Sequence, residues 1–215
     1  MTDSSFILKH PMQVRVFHFI LAVSFLTLAV TGIILFLKPL QEAAMNTVIQ
    51  IHVVAGVVMT LDALAFLFLA FDRVVMFTKR VFTFSGNDLK WFTVLGGYPQ
   101  KILLHKKVEV PPMGKYNAGQ KLFGIFVLVG GTLLILSGWA LWTLPHIIPH
   151  GDTSMIGTIH LYVSWILILF LLVHLFLGIY MVDDFKAMFL HGRIPYGDAA
   201  EKSPLWVKND ICKIG

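Results

Sequence analysis

Apolar positions along this chain fall into four long unbroken runs, not into the alternating or 3.6-residue patterns of a soluble fold. Residues 17–37 and 122–144 contain no Asp, Glu, Lys or Arg. Residues 49–71 contain one, Asp62, and residues 156–182 contain none before Asp183 closes the run. A hydrocarbon core of roughly 30 Å takes about 20 apolar residues of helix, so each run predicts a membrane span. The first run is too long for a signal-peptide core and lacks a small-residue cleavage site, so the N-terminus reads as mature.

The polar positions between the runs set an orientation. The 72–118 loop carries Arg73, Lys79, Arg80, Lys90, Lys101, Lys106, Lys107 and Lys115. The 183–215 tail carries Lys186, Arg193, Lys202, Lys208 and Lys213, and the N-terminus Lys9 and Arg15. The other two loops hold only Lys38. By the positive-inside rule the loop, the tail and both termini are cytoplasmic. The expected fold is an all-α integral membrane four-helix bundle. It forms one domain over residues 1–215, multi-pass in a bacterial inner membrane. Gly86, Gly96, Gly97, Pro99, Pro111 and Pro112 mark the 72–118 loop as turn-rich, and no clear internal repeat is visible.

Composition agrees and narrows the function. Of 215 residues, 57% are hydrophobic and 13% charged, against about 25% charged in a soluble domain. A disordered chain is excluded on these numbers, and a water-soluble enzyme is not expected. The net charge of +5 is accounted for by topology, so no nucleic-acid role is expected. One cysteine, Cys212, excludes an internal disulfide framework, a Cys-rich zinc site, an iron–sulfur cluster and covalent c-type haem attachment.

Four of the nine histidines lie inside the spans: His18, His52, His160 and His174. An ionisable side chain in a span is costly and marks a candidate functional site. Depth sorts them into an inner pair, His18 with His174, and an outer pair, His52 with His160. His160 and His174 are 14 residues apart, which is about 21 Å along one helix and within about 40° of one face. One helix therefore offers a ligand to each of two stacked sites. Two imidazoles per site, with no thiol or clustered carboxylate, suit bis-histidine ligation of b-type haem. Gly32, Gly56 and Gly178 near these histidines suit close approach of a flat cofactor or of a helix. Arg15, three residues before His18, is placed to pair with a haem propionate. The same residues admit plainer readings: hydrogen-bonded packing histidines in a cofactor-free anchor, or a cation pathway. The latter would want acidic partners, and only Asp62 offers one.

The stretch Gly114-Lys115-Tyr116-Asn117-Ala118-Gly119-Gln120-Lys121 precedes the third span. Asn117, Gln120 and the backbone at Gly119 offer hydrogen-bonding groups for a quinone carbonyl; equally, Asn117 suits a helix N-cap. Asp62, near the depth of His174, is a candidate proton relay to a reduced quinone, or else a buried hydrogen-bonding group.

These residues carry a resemblance. From about Lys9 to Pro204 the chain resembles the gamma subunit of respiratory formate dehydrogenase, a di-haem cytochrome b with four membrane helices. The features that carry it are Lys115-Tyr116-Asn117-Ala118-Gly119-Gln120-Lys121, the His160/His174 pair, Ile51-His52-Val53-Val54-Ala55-Gly56-Val57-Val58-Met59 and Ser137-Gly138-Trp139. The resemblance implies two haem b, the outer on His52 and His160 and the inner on His18 and His174. It implies a menaquinone pocket at Asn117 and Gly119, with Gln120 in the same motif. It also implies an iron–sulfur partner subunit on the outer face, fed by a molybdenum- or tungsten-containing catalytic subunit. The chain itself is then an electron-transfer and quinone-binding subunit, with no dehydrogenase site of its own. Related cytochromes of thiosulfate reductase and hydrogenase have similar ligand sets. Ala118 stands where a bulkier residue is usual, and the tail is short on basic residues.

Overall fold

The computed structural model describes residues 5–148 and 153–211; His150 and Cys212 fall outside them. Four long helices carry the four apolar runs: α1 (Met12–Leu37), α2 (Glu42–Leu69), α6 (Ala118–Ile147) and α7 (Ser154–Tyr180). Each is long and apolar enough to cross a membrane, with mean hydropathy of 2.1 to 2.6 over its most apolar stretch. They are apolar all round, and large side chains such as Phe68, Leu69 and Ile179 point outward. A helix of that kind is stable only in a non-aqueous surround. The chain is thus a multi-pass membrane protein with an all-α bundle at its centre.

The helices outrun the apolar stretches that signal them. α1 begins at Met12, so His18 is its seventh residue, and α2 begins at Glu42, so His52 sits three turns in rather than at the rim. Hydropathy marks only the lipid core, whereas backbone hydrogen bonding carries a helix on into the interface. The second run ends early: helix geometry breaks at Ala70 (φ −135°), and Phe71 opens a separate helix.

α1 packs chiefly on α2 and α6 chiefly on α7, while the two hairpins touch more sparingly. The gap between them is the interior of the bundle. At one end the 72–118 loop folds into α3 (Phe71–Phe82), α4 (Gly86–Val94) and α5 (Tyr98–Leu103). A Cβ on Gly124 would stand 2.8 Å from Val81 and 3.0 Å from Phe77. Only glycine lets α3 lie that close to the opening turns of α6.

The tail is folded too. After α8 (Val182–Lys186) and a π-turn at Ala187–His191, strand β2 (Arg193–Pro195) pairs antiparallel with β1 (Phe6–Leu8). The short helices α9 (Tyr196–Lys202) and α10 (Pro204–Trp206) follow. Ala187, Ile194, Ala199, Trp206 and Val207 form a small core under this sheet. Lys9 pairs with Asp184 at 2.7 Å, Arg80 with Asp210 at 2.7 Å, and Leu205 donates to the Met113 carbonyl at 3.1 Å. N-terminus, loop and tail therefore meet as one cap at the basic end of the bundle.

Candidate functional site: two opposed histidine pairs

The four span histidines bridge the gap between the hairpins. His52 on α2 faces His160 on α7 with ring centroids 6.4 Å apart, and His18 on α1 faces His174 on α7 at 6.2 Å. Phe123, stacked on His174, lies closer, at 4.6 Å. A metal between two imidazoles holds its nitrogens at about 2 Å each. With each ring centre about 1.1 Å behind its nitrogen, the centroids would stand about 6.2 Å apart. Both pairs match that spacing. The depth argument and the resemblance implied these partners, and the helices bring both pairs together.

At the outer pair the imidazoles are fixed by hydroxyls. Thr31 Oγ1 lies 2.6 Å from the Thr27 carbonyl, to which it donates, and 2.8 Å from His52 Nδ1. Ser137 likewise donates to the Leu133 carbonyl at 2.6 Å, and its oxygen lies 2.8 Å from His160 Nδ1. With the hydroxyl protons on those carbonyls, each ring carries its proton on Nδ1 and keeps Nε2 unprotonated, the tautomer a metal-ligating histidine requires. Both hydroxyls are buried. The residue after each is glycine: a Cβ on Gly32 would lie 3.5 Å from His52 and one on Gly138 3.4 Å from His160. A hydroxyl–glycine pair on the first helix of each hairpin thus serves the histidine on the second. This local repeat, Leu28-x-x-Thr31-Gly32-x-x-Leu35 and Leu134-x-x-Ser137-Gly138-x-x-Leu141, is present in the sequence, but only the paired helices show what its hydroxyl and glycine face.

Around the outer pair lies a cavity of about 340 Å³ reached by all four long helices, its walls including Phe25, Gly56, Leu134, Trp139 and Trp165. An apolar cleft with two convergent nitrogens suits a flat, largely apolar cofactor. Among the described residues no three of His, Cys, Asp and Glu gather as a cage for a bare cation.

The inner pair is held by aromatic packing. Phe123 stacks parallel on His174, and Phe189 meets His18 edge-on at 5.4 Å. His18 Nδ1 is buried without a hydrogen-bond partner among the described residues. Arg15 does not point free: its guanidinium donates to the carbonyls of Met188, at 3.2 Å, and Leu190. It thereby holds the π-turn that carries Phe189 against His18. Gly178 has open space around it, whereas Gly130 is packed on Leu167.

The motif before α6 forms a capping box. Gln120 N–H donates to Asn117 Oδ1 at 2.9 Å and Asn117 N–H donates to Gln120 Oε1 at 3.0 Å. Gly119 is pressed by Trp91, 2.8 Å from where its Cβ would be. Tyr98, which the sequence did not single out, approaches Asn117 and lies 3.5 Å from Met181 Sδ. Burial, with Asp184 and Tyr180 near, raises its phenol above the usual range despite the contact with Asn117. Phe123, one turn beyond Gly119, connects this corner to His174. Asp62 is half-buried on α2, its Oδ2 enclosed without a partner among the described residues.

Four apolar spans closed around opposed imidazole pairs define a class: membrane proteins that clasp a planar iron cofactor between helices. The chain belongs to the prokaryotic cytochrome b561 family, whose sequence profile matches residues 9–190. Its members are membrane subunits that bind haem b and carry electrons. No curated protein matches the chain.

Proposed function

We propose that the chain is a di-haem b subunit linking an iron–sulfur partner on the outer face of the bacterial inner membrane to menaquinone at the cytoplasmic, basic end. His52 and His160 hold the outer haem, and His18 and His174 the inner. Bound there, haem supplies one-electron transfer across the core, with the protein supplying ligands, spacing and dryness. The observation that carries this reading is the pair of centroid separations, 6.4 and 6.2 Å, each with room for one metal. The resemblance of the 115–121 motif supports a formate dehydrogenase type of complex, in which a molybdenum or tungsten subunit oxidises the donor.

At the basic end, Asn117, Gly119 and Gln120 frame the quinone pocket, joined by Tyr98. The capping box does not oppose this: it holds the Asn117 amide and the first turn of α6 rigid beside His174. Asp62 relays protons to the reduced quinone; a quinone-reduction rate unchanged in Asp62→Asn would remove it from that role. Arg15 acts first through the π-turn and second on a propionate.

The test is a reduced-minus-oxidised visible spectrum of the purified protein with haem quantified per chain. The expected result is two b haems, falling to one in His52→Ala and to one in His18→Ala. One haem in the wild type, or two in either variant, would overturn the assignment.

A further inference from the structure

A second cavity, of about 520 Å³, lies at the basic end, away from the histidines. Four cations line it (Lys79, Arg80, Lys115 and Lys121) against two carboxylates, Asp88 and Asp210. Asp88 and Asp210 are already engaged, by Lys121 and Arg80, each at 2.7 Å. Among the described residues Lys79 and Lys115 have no carboxylate within salt-bridge distance. Lys115 lies instead over the Trp206 ring, 5.4 Å from its centre. Burial, then the charges of Arg80, Lys9 and Arg73, pull its ammonium down to about 8. The cavity therefore has positive charge in excess, and nothing among its described walls neutralises it.

Its position says what anion fits. Phe77 and Val81 of α3 face α6 at Gly124, while Phe71, Val75 and Phe82 share a face within about 40° on the helix wheel and are exposed. Lys79, about 40° further round, and Arg80, about 100° beyond it, both line the cavity. Since α3 lies against the opening turns of α6, its exposed apolar face would meet lipid and Lys79 beside it would stand at headgroup depth. The cavity is also separate from the quinone corner. Met113, Trp91 and Ala118 pack as a buried cluster; Lys115 and Tyr116 line the cavity, and Asn117 and Gly119 do not.

Independently of the haem assignment, we propose that this cavity binds the phosphate of an anionic phospholipid headgroup, its acyl chains lying along Phe71, Val75 and Phe82. Basic pockets at the cytoplasmic ends of membrane helices are suited to such headgroups. The lipid would tie α3, the 112–116 segment and the tail into one unit.

The experiment is native mass spectrometry of the full-length protein in detergent, titrated with dioleoyl phosphatidylglycerol, dioleoyl phosphatidylcholine and, separately, inorganic phosphate. One phosphatidylglycerol is expected per chain, in preference to phosphatidylcholine and not displaced by millimolar phosphate. Lys79→Gln and Lys115→Gln should each weaken it about fivefold. Lys90→Gln, exposed and outside the cavity, should leave it unchanged. If Lys115→Gln does not fold, Lys79→Gln carries the test alone. Equal binding of the two lipids, or equal loss in Lys90→Gln, would overturn the site. Displacement by phosphate would overturn the lipid in favour of a free anion. A Lys115→Gln variant with an altered haem spectrum and unaltered lipid binding would assign that lysine to the inner histidines instead.

Discussion

Thr31 sets the chemistry of His52. Its oxygen lies 2.6 Å from the Thr27 carbonyl and 2.8 Å from His52 Nδ1, so with its proton on that carbonyl it accepts from the ring. On the haem reading, the nitrogen that His52 offers to the metal is thereby chosen by a residue on a different helix. Ser137 repeats the relation with His160 across the second hairpin. The inner pair has no such hydroxyl among the bonds described and relies on stacked rings. The two pairs thus share a residue type but differ in what orients them.

Removing either hydroxyl should loosen the outer site selectively. Thr31→Val and Ser137→Ala keep the helices but free the Nδ1 proton. Loss of a partner of this kind weakens metal sites about 10–100-fold. Haem per chain after extended detergent washing should fall toward one, and the low-spin electron paramagnetic resonance signal of the remaining haem should match that in His52→Ala. Retention of two haems with unaltered signals would show that the hydroxyls do not orient the ligands.

Glycines near the histidines should divide by what they face. Gly32→Val and Gly138→Val push methyl groups toward His52 and His160 and should exclude the outer haem with modest loss of stability. Gly130→Val meets Leu167, 3.2 Å from its Cβ, and should destabilise the hairpin by about 1–3 kcal/mol, as overpacking does. Thermal unfolding beside haem content separates the two kinds.

Asn117 has two separable tasks. Asn117→Ala removes the N-cap and should cost about 1 kcal/mol, measured by thermal or denaturant unfolding in detergent. Asn117→Ser keeps a capping oxygen and should retain most of that stability. If Asn117 also contacts quinone, Asn117→Ser will slow reduction of a soluble menaquinone analogue all the same. Wild-type kinetics in Asn117→Ser would leave the residue as a cap alone.

The terminal cap should weaken in mild acid. Burial, then the charges of Lys9 and Lys115, bring His10 from its ordinary 6.5 down to about 3. The folded state therefore holds it neutral while the unfolded chain takes up a proton below about 6.5. Stability from this group is complete above that pH and is lost as pH falls from 6.5 toward 3. Amide exchange at residues 6–9, corrected for intrinsic rates, should speed up at pH 5 relative to pH 7.5, and His10→Gln should flatten the difference. Faster exchange at the higher pH would contradict the sign.

The sequence by itself determined the four spans, their common basic end and the sorting of four histidines into two depths. Each follows from local facts: length of apolar run, sign of loop charge and position along a helix. It also gave Asn117 as a cap. Tertiary structure alone decided the rest. Whether two histidines at one depth face each other depends on helix rotation, which apolar-all-round sequences do not encode because every face is equally at home in lipid. Thr31 and Ser137 acquire meaning only through the neighbouring helix, and Tyr98 only when the loop folds back on α6. Arg15, three residues from His18, is drawn by distant carbonyls of the tail, since an unpaired carbonyl at a turn attracts a guanidinium wherever the chain brings the two together.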